Sequence, residues 1–339
     1  LTVVPRDLTS QLDYFEDQYR KIEPAGQLTS GSRFAVAQLE IRAGRTWRFV
    51  WKRRLANDVA PVSAIVRDDG KFVATFDDWH RVGYGASTLV IYGPQGDRVR
   101  ALSLSDIVPE TYIKALPHSV SSIGWHGDPR FSADGKQVLI PVAIPGSDKT
   151  FEMAVDLFSG RVKPINRVAW SSALAAGRSV LAAQETSARA AKVRFLAPLM
   201  GSKVNAEREW HEYIREAIGR LVGDDVVPST TVLRAPNAAD YAVSEGWVRE
   251  ALTDSFADIV GIASLSEPNL VNVLRRIGSS VPPRSLAKIT VFIAASDRSW
   301  PAVAAAMKRS GAKLVQLNPE KPIPQRRERI RRRYPDRAA

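Results

Sequence analysis

The chain has no cysteine among its 339 residues. That removes disulfides, thiolate nucleophiles and every cysteine-ligated zinc or iron centre. It does not settle a compartment, since cytosolic and periplasmic proteins alike can lack the residue. Histidine is nearly as scarce. His80, His118, His126 and His211 are the four present, and no two stand at the H-E-x-x-H or H-x-H spacing that presents two imidazoles to one zinc. No apolar run approaches the roughly 18–20 residues of a spanning helix. The signatures G-x-G-x-x-G, G-x-x-x-x-G-K-[ST] and G-x-S-x-G are absent too, so no motif calls for a dinucleotide, a nucleotide or an elbow-borne serine nucleophile. No cofactor and no metal are expected.

What is there describes a folded, two-part chain. Hydrophobic residues make up 45% and charged residues 25%, a globular balance, and the length exceeds an ordinary single core. The chain begins at Leu1 and not at Met, compatible with removal of an upstream segment such as a secretory signal. The net charge is +12, and residues 321–339 hold eight cations against two acids, a net +6. Among them Arg326, Arg327, Arg329, Arg331, Arg332 and Arg333 form an anion-binding candidate for phosphates, nucleic acid, anionic lipid or an acidic protein. A solvated terminus is the plainer expectation. The other +6 is taken as spread over the remaining chain, which indicates no basic groove.

The first half repeats itself. "AIVRDDGKFVATFDDWHRVGYGASTLVIYGPQGDRVRAL" from Ala64 lies over "PRFSADGKQVLIPVAIPGSDKTFEMAVDLFSGRVKPI" from Pro129 at an offset of about 65 residues. Asp69-Gly70-Lys71 matches Asp134-Gly135-Lys136, and Gly96 matches Gly160. Asp-Gly supplies the positive φ of a tight hairpin, and the flanking β-branched and aromatic residues suit a pleated sheet. Each copy is therefore an antiparallel meander of about four strands. A further hairpin is expected over Arg33–Leu55, turning at Ala43-Gly44.

"FSADGKQVLIPVA…FEMAVDLFSGRV" resembles a blade of the TolB-type β-propellers, whose repeats run F-S-x-D-G-K, strand, D-x-x-x-G-x-V. The likeness covers about 35 residues of the second copy and is looser in the first, where "IYGPQGDRV" stands in for the Asp-bearing hairpin. More broadly, this half resembles bacterial secreted proteins of uncharacterised function that carry such blades. The resemblance implies a scaffold, and a periplasmic or secreted location beside a cytoplasmic alternative, but no activity. Two full blades and part of a third fall short of the roughly four to eight of a closed propeller, so an open, incomplete array is expected over 1–167.

From Lys192 short apolar strands alternate with amphipathic helices. Strands are predicted at 192–198, 230–236, 258–264, 288–295 and 313–318, with helices near 206–222, 238–254, 267–277 and 299–310. The overall class is thus α+β: a propeller-like antiparallel β domain, an Ala-rich linking helix over 168–191, a doubly wound, Rossmann-like parallel α/β domain of five strands over 192–320, and the basic tail. Ligands of such sheets sit beyond the carboxyl ends of the strands. There Ser264, Ser266 and Glu267 would face Ser296, Asp297 and Arg298, although capping alone also places such residues at helix starts.

Two further constellations stand out. Asp77, Asp78, His80, His118 and His126 could gather for metal or acid–base chemistry, with Ser119, Ser121 and Ser122 near His118 as nucleophile candidates. The plainer alternative makes "FDDWHRVGYG" a structural connection. His211, in "WHEYIRE", is read as part of a solvated helix face with i,i+4 charge pairs. Trp47, Phe49 and Trp51 alternate in one strand and are assigned to one face, a core face before a stacking platform. The leading expectation is a non-enzymatic binding or interaction module of an exported bacterial protein. Its alternatives are a hydrolase-type enzyme and an anion or nucleic-acid binder working through the arginine tail.

Overall fold

A computed structural model describes residues 1–253 and 257–335. Asp336 and Arg337, counted in the tail, lie outside the described residues. The chain divides into two compact units, Leu1–Ser187 and Ala188–Ala339.

The first unit holds three antiparallel sheets. In the first, β1 (Thr2–Val4), β2 (Val36–Ala43) and β3 (Thr46–Arg54) lie in that order, and helix α1 (Gln11–Arg20) is inserted between β1 and β2. The second is the meander β4 (Pro61–Val66), β5 (Val73–Asp78), β6 (Leu89–Tyr92) and β7 (Arg98–Leu102). The third is β8 (Arg130–Phe131), β9 (Gln137–Ala143), β10 (Thr150–Asp156) and β11 (Val162–Pro164). The short helices α2 (Leu104–Ile107) and α3 (Glu110–Ile113) connect the two meanders. Both repeat copies are thus four-stranded meanders, and both turn on the Asp-Gly pair. Gly70 and Gly135 have φ of 68° and 66°, and the carboxylates of Asp69 and Asp134 accept from the Lys71 and Lys136 amides at 3.0 and 3.1 Å.

The middle sheet is covered on both sides, which explains why every residue of β5 and β6 is buried. Ala74, Phe76, Leu89 and Ile91 pack against Val138, Ile140, Phe151 and Met153 of the third sheet. Val73, Val90 and Tyr92 pack against Ala37, Leu39 and Trp51 of the first. Full burial of side chains the size of Phe76 or Ile91 contributes about 2–3 kcal/mol each.

The linking helix, α4, runs from Arg167 to Leu196 and is longer than expected at both ends. Its continuation through 192–196 corrects the first predicted α/β strand. "KVRFL" carries apolar residues and good helix formers, so the Ala-rich helix before it propagates through. Pro198 then bars further helix.

The sheet of the second unit accordingly has four strands: β12 (Ser229–Leu233), β13 (Ile259–Ser264), β14 (Thr290–Ala294) and β15 (Lys313–Leu317). All pairs are parallel and the spatial order follows the chain. Alternate side chains serve two layers. Leu233, Val260, Ile262, Val291 and Ile293 face α6 (Tyr241–Thr253), α7 (Glu267–Ser280) and α8 (Trp300–Met307). Val232, Ala263, Phe292, Ala294 and Leu317 face α5 (Glu207–Val222). Because strand order never reverses, this sheet has no switch-point crevice of the kind that holds ligands in reversed sheets. The last helix, α9, covers Arg327–Arg333.

Candidate functional site

Asp77 is the most heavily bonded side chain of the "FDDWHRVGYG" segment. Strand alternation would send it, with Val73, toward the first sheet. Its φ of 57° turns the carboxylate the other way, to the segment Trp125–Gly127 that runs antiparallel beside β9. There it accepts from the Trp125 indole N–H at 3.1 and 3.2 Å, from the Gly83 amide at 2.7 Å and from His126 Nε2 at 3.0 Å. The carboxylate is 1% exposed. Aspartate tolerates the left-handed region better than most residues, and three donors hold it there.

His126 has its other nitrogen, Nδ1, at 2.5 Å from the Gly127 carbonyl oxygen. Both ring nitrogens of His126 thus face oxygens of the fold. The pair ties the second sheet to the segment beside the third.

The other expected members of this constellation are elsewhere. His80 packs its ring against Trp79 and Phe15, and His118 Nδ1 donates to the Leu116 carbonyl at 2.7 Å. Ser119 and Ser122 bond each other through their hydroxyls at 2.6 Å. Asp78 accepts the Asp58 amide at 3.0 Å, and burial raises its pKa above the ordinary carboxylate value. Among the described residues no three His, Asp or Glu side chains form a group able to hold a metal ion, and no serine is bonded to a histidine.

The α/β loops do meet, but through each other. Glu267 accepts from the Ser296 amide and from its hydroxyl, the latter at 3.1 Å. Ser264 Oγ accepts the Ser266 amide at 2.9 Å. Asp297 accepts from Gln316 and Asn318 and pairs with Lys321 at 2.8 Å; these three partners hold its pKa below the ordinary value. Arg298 is exposed. The crevice expected between these loops is bridged by its own side chains.

Over its described residues, 321–335, the arginine tail is folded, not loose. Arg329 pairs with Glu216 and Asp224 at 3.0 and 2.9 Å, Arg326 with Glu328 at 3.1 Å and Arg332 with Asp225 at 3.4 Å. The Arg333 guanidinium lies 4.7 Å over the Phe195 ring. Arg327 and Arg331 are exposed. Most of the cations here have an acid or a ring of the same unit as partner.

The opposite holds for the β2–β3 hairpin. Residues 33–54 carry Arg33, Arg42, Arg45, Arg48, Lys52, Arg53 and Arg54 against Glu40, seven cations to one acid and a net +6. With the tail this accounts for the entire +12, so the second +6 is concentrated and not spread. All seven cations are exposed, and none forms an ion pair among the described residues. A bulge between Leu39 and Glu40 sets what accompanies them: Leu39 opposes Trp51 while Glu40 opposes Phe49, leaving Val50 extra. The extra residue reverses the alternation. Trp51 is buried at 3% exposure beside Leu39, whereas Trp47 and Phe49 turn outward at 68% and 56%. The three aromatics do not share a face, because the bulge separates them. Partnered across the strands, Arg42–Trp47, Glu40–Phe49, Gln38–Lys52 and Val36–Arg54 form one outer surface, and the Arg54 guanidinium sits 3.2 Å over the Phe34 ring.

His211 also departs from expectation. Its Nδ1 lies 3.0 Å from the Thr230 hydroxyl, in a cleft of about 490 Å³ beside the edge strand β12, with Glu207, Trp247 and Glu250. The ring is half-buried, and that burial lowers its pKa. The sequence cue was available: His211 lies next to Trp210 on the apolar side of α5. No protein-family model matches the chain, and no curated protein matches it.

Proposed function

We propose that the protein is a non-enzymatic binding module that engages an anionic partner with the outer face of its first sheet. The carrying observation is the contrast between two equally charged blocks: the hairpin's seven exposed cations lack acidic partners, while most of the tail's are engaged within their own unit. Holding seven like charges together without counter-ions is unfavourable in the free protein, and an anionic partner relieves it. The three antiparallel sheets, taken as open TolB-like blades of an exported bacterial protein, would be the scaffold presenting that face. A hydrolytic role has less support, since His118 and His126 face carbonyls and Asp77, His80 packs against aromatic rings, and Ser119 and Ser122 bond each other.

Retention on immobilised heparin tests this. Reversing Arg42 and Lys52, both on that outer face, to Glu should lower the eluting salt concentration markedly, since each lost cation reduces the salt dependence of polyanion binding. Reversing Arg327 and Arg331 should have the smaller effect. Unchanged elution after the hairpin reversal would end the proposal, and a larger effect of the tail reversal would transfer the site to α9.

A further inference from the structure

Resting on that binding reading, we propose that the outer face of the β2–β3 hairpin takes single-stranded nucleic acid, with Trp47 and Phe49 as stacking platforms for successive bases and Arg42, Lys52 and Arg54 as phosphate contacts. Strand alternation puts both aromatics on one side of one strand, two residues and so about 6.8 Å apart, and the bulge sets that side opposite to buried Trp51. Their exposures of 68% and 56% leave the rings open to a planar partner. Cations flank them on the same surface, as the pairings Arg42–Trp47 and Gln38–Lys52 require. Stacking surfaces interleaved with positive charge suit unpaired bases on a phosphate backbone, which offer a π-face and an anion at every step. A duplex hides its base faces and would meet only the charges.

An anionic membrane surface shares the charge requirement but not the geometry. Insertion needs large apolar residues at the leading tip of the hairpin, and the tip here is Ala43-Gly44-Arg45-Thr46. The aromatics stand behind it, on the flat of the sheet. Glu40 and Gln38, hydrogen-bonded to each other at 2.9 Å, lie in the middle of the surface and would meet a base edge or a water more readily than acyl chains.

The test is fluorescence anisotropy with the full chain and a labelled oligothymidylate of roughly 12 nucleotides, within the usual reach of such sites. Trp47→Ala and Phe49→Ala, both at exposed positions, should each weaken binding by between roughly fivefold and a hundredfold, and Trp47→Phe should recover most of the loss. Neither should change the salt dependence, because neither removes a phosphate contact. Arg42→Ala and Lys52→Ala should each reduce the slope of log affinity against log salt by about 0.7. Affinity indifferent to both aromatic changes would overturn the proposal, as would equal affinity for a duplex of the same length. Binding to phosphatidylserine vesicles but not to the oligonucleotide would also overturn it. If the oligonucleotide does not bind while heparin retention still depends on Arg42 and Lys52, this proposal falls and the anionic-partner reading stands. If heparin retention is indifferent as well, both fall.

Discussion

The Asp77 carboxylate accepts the indole N–H of Trp125 from the segment that runs beside β9 of the neighbouring sheet, 48 residues away in the chain. Besides apolar packing and the bonds that Arg67 and Arg100 donate to the Gly135 and Ser159 carbonyls, it gives the second and third sheets a buried polar network. Directional bonds fix how two apolar faces settle against each other, which area burial alone does not. The left-handed backbone at Asp77 is the local cost of that directionality.

Removing the carboxylate should therefore destabilise the first unit strongly. Asp77→Ala leaves the Trp125 indole, the Gly83 amide and His126 buried without their acceptor, an expected loss of about 3 kcal/mol. Denaturant unfolding of the full chain, followed through its first transition, reads the change. A loss below about 0.5 kcal/mol, the range of an ordinary surface substitution, would show that the bonds do not anchor the sheets.

Gly83 is bound into the same node and has a separate reason to be glycine. Its φ is 76°, and a Cβ there would lie 2.9 Å from Ile123 Cβ and 3.3 Å from Trp125 Cδ1. Gly44 has a similar φ of 66° with nothing within 4 Å. Gly44→Ala should cost about 1 kcal/mol, from conformation alone. Gly83→Ala should cost about 2–3 kcal/mol, because the steric contact adds to it. Equal losses in thermal unfolding would mean that Ile123 shifts aside freely.

Much of the architecture was legible because its cues are local. The Asp-Gly turns at Asp69 and Asp134 and the apolar strands at 229–233 and 290–294 are short-range signals, and all four became the expected elements. The features that decide the site are not local. The bulge at Val50 depends on pairing with Leu39 and Glu40, and one extra residue sends Trp47 and Phe49 outward. The turn at Asp77 depends on donors almost fifty residues away. Residues 192–196 could be apolar strand or helix by composition, and the helix preceding them decided it. Glu216, from α5, neutralises Arg329 across more than a hundred residues, a partner that the tail's composition could not disclose.

Asp78 should behave oppositely to most carboxylates. Burial raises its folded pKa above the unfolded value, with the Asp58 amide only partly offsetting this. The unfolded chain then releases this proton first, so Asp78 contributes stability at acid pH that is lost as pH rises through its folded pKa. Asp78→Asn keeps an acceptor for the Asp58 amide and removes the buried charge. At neutral pH it should match or exceed the wild-type melting temperature. A clear drop would show that the ionised form is the one stabilised.

Glu216 has the reverse sign. Burial on α5 alone would raise its pKa, but charge-assisted bonds from Arg329 and Arg220 outweigh this and lower it. A folded pKa below the unfolded value near 4.3 means the contribution is fully present above that value. It is lost as pH falls through the folded pKa. Glu216→Gln should remove this acid dependence from the second unit. It should also destabilise that unit at neutral pH, because the Arg220 side chain, 2% exposed, then has a neutral amide oxygen in place of its counter-charge. The readout is hydrogen exchange of α5 and α9 amides across the acid range, which isolates the second unit without dissecting the chain. An exchange profile with the same pH dependence in wild type and variant would show that α9 is held by its contacts with Phe195 and the Leu221 carbonyl and not by this charge cluster.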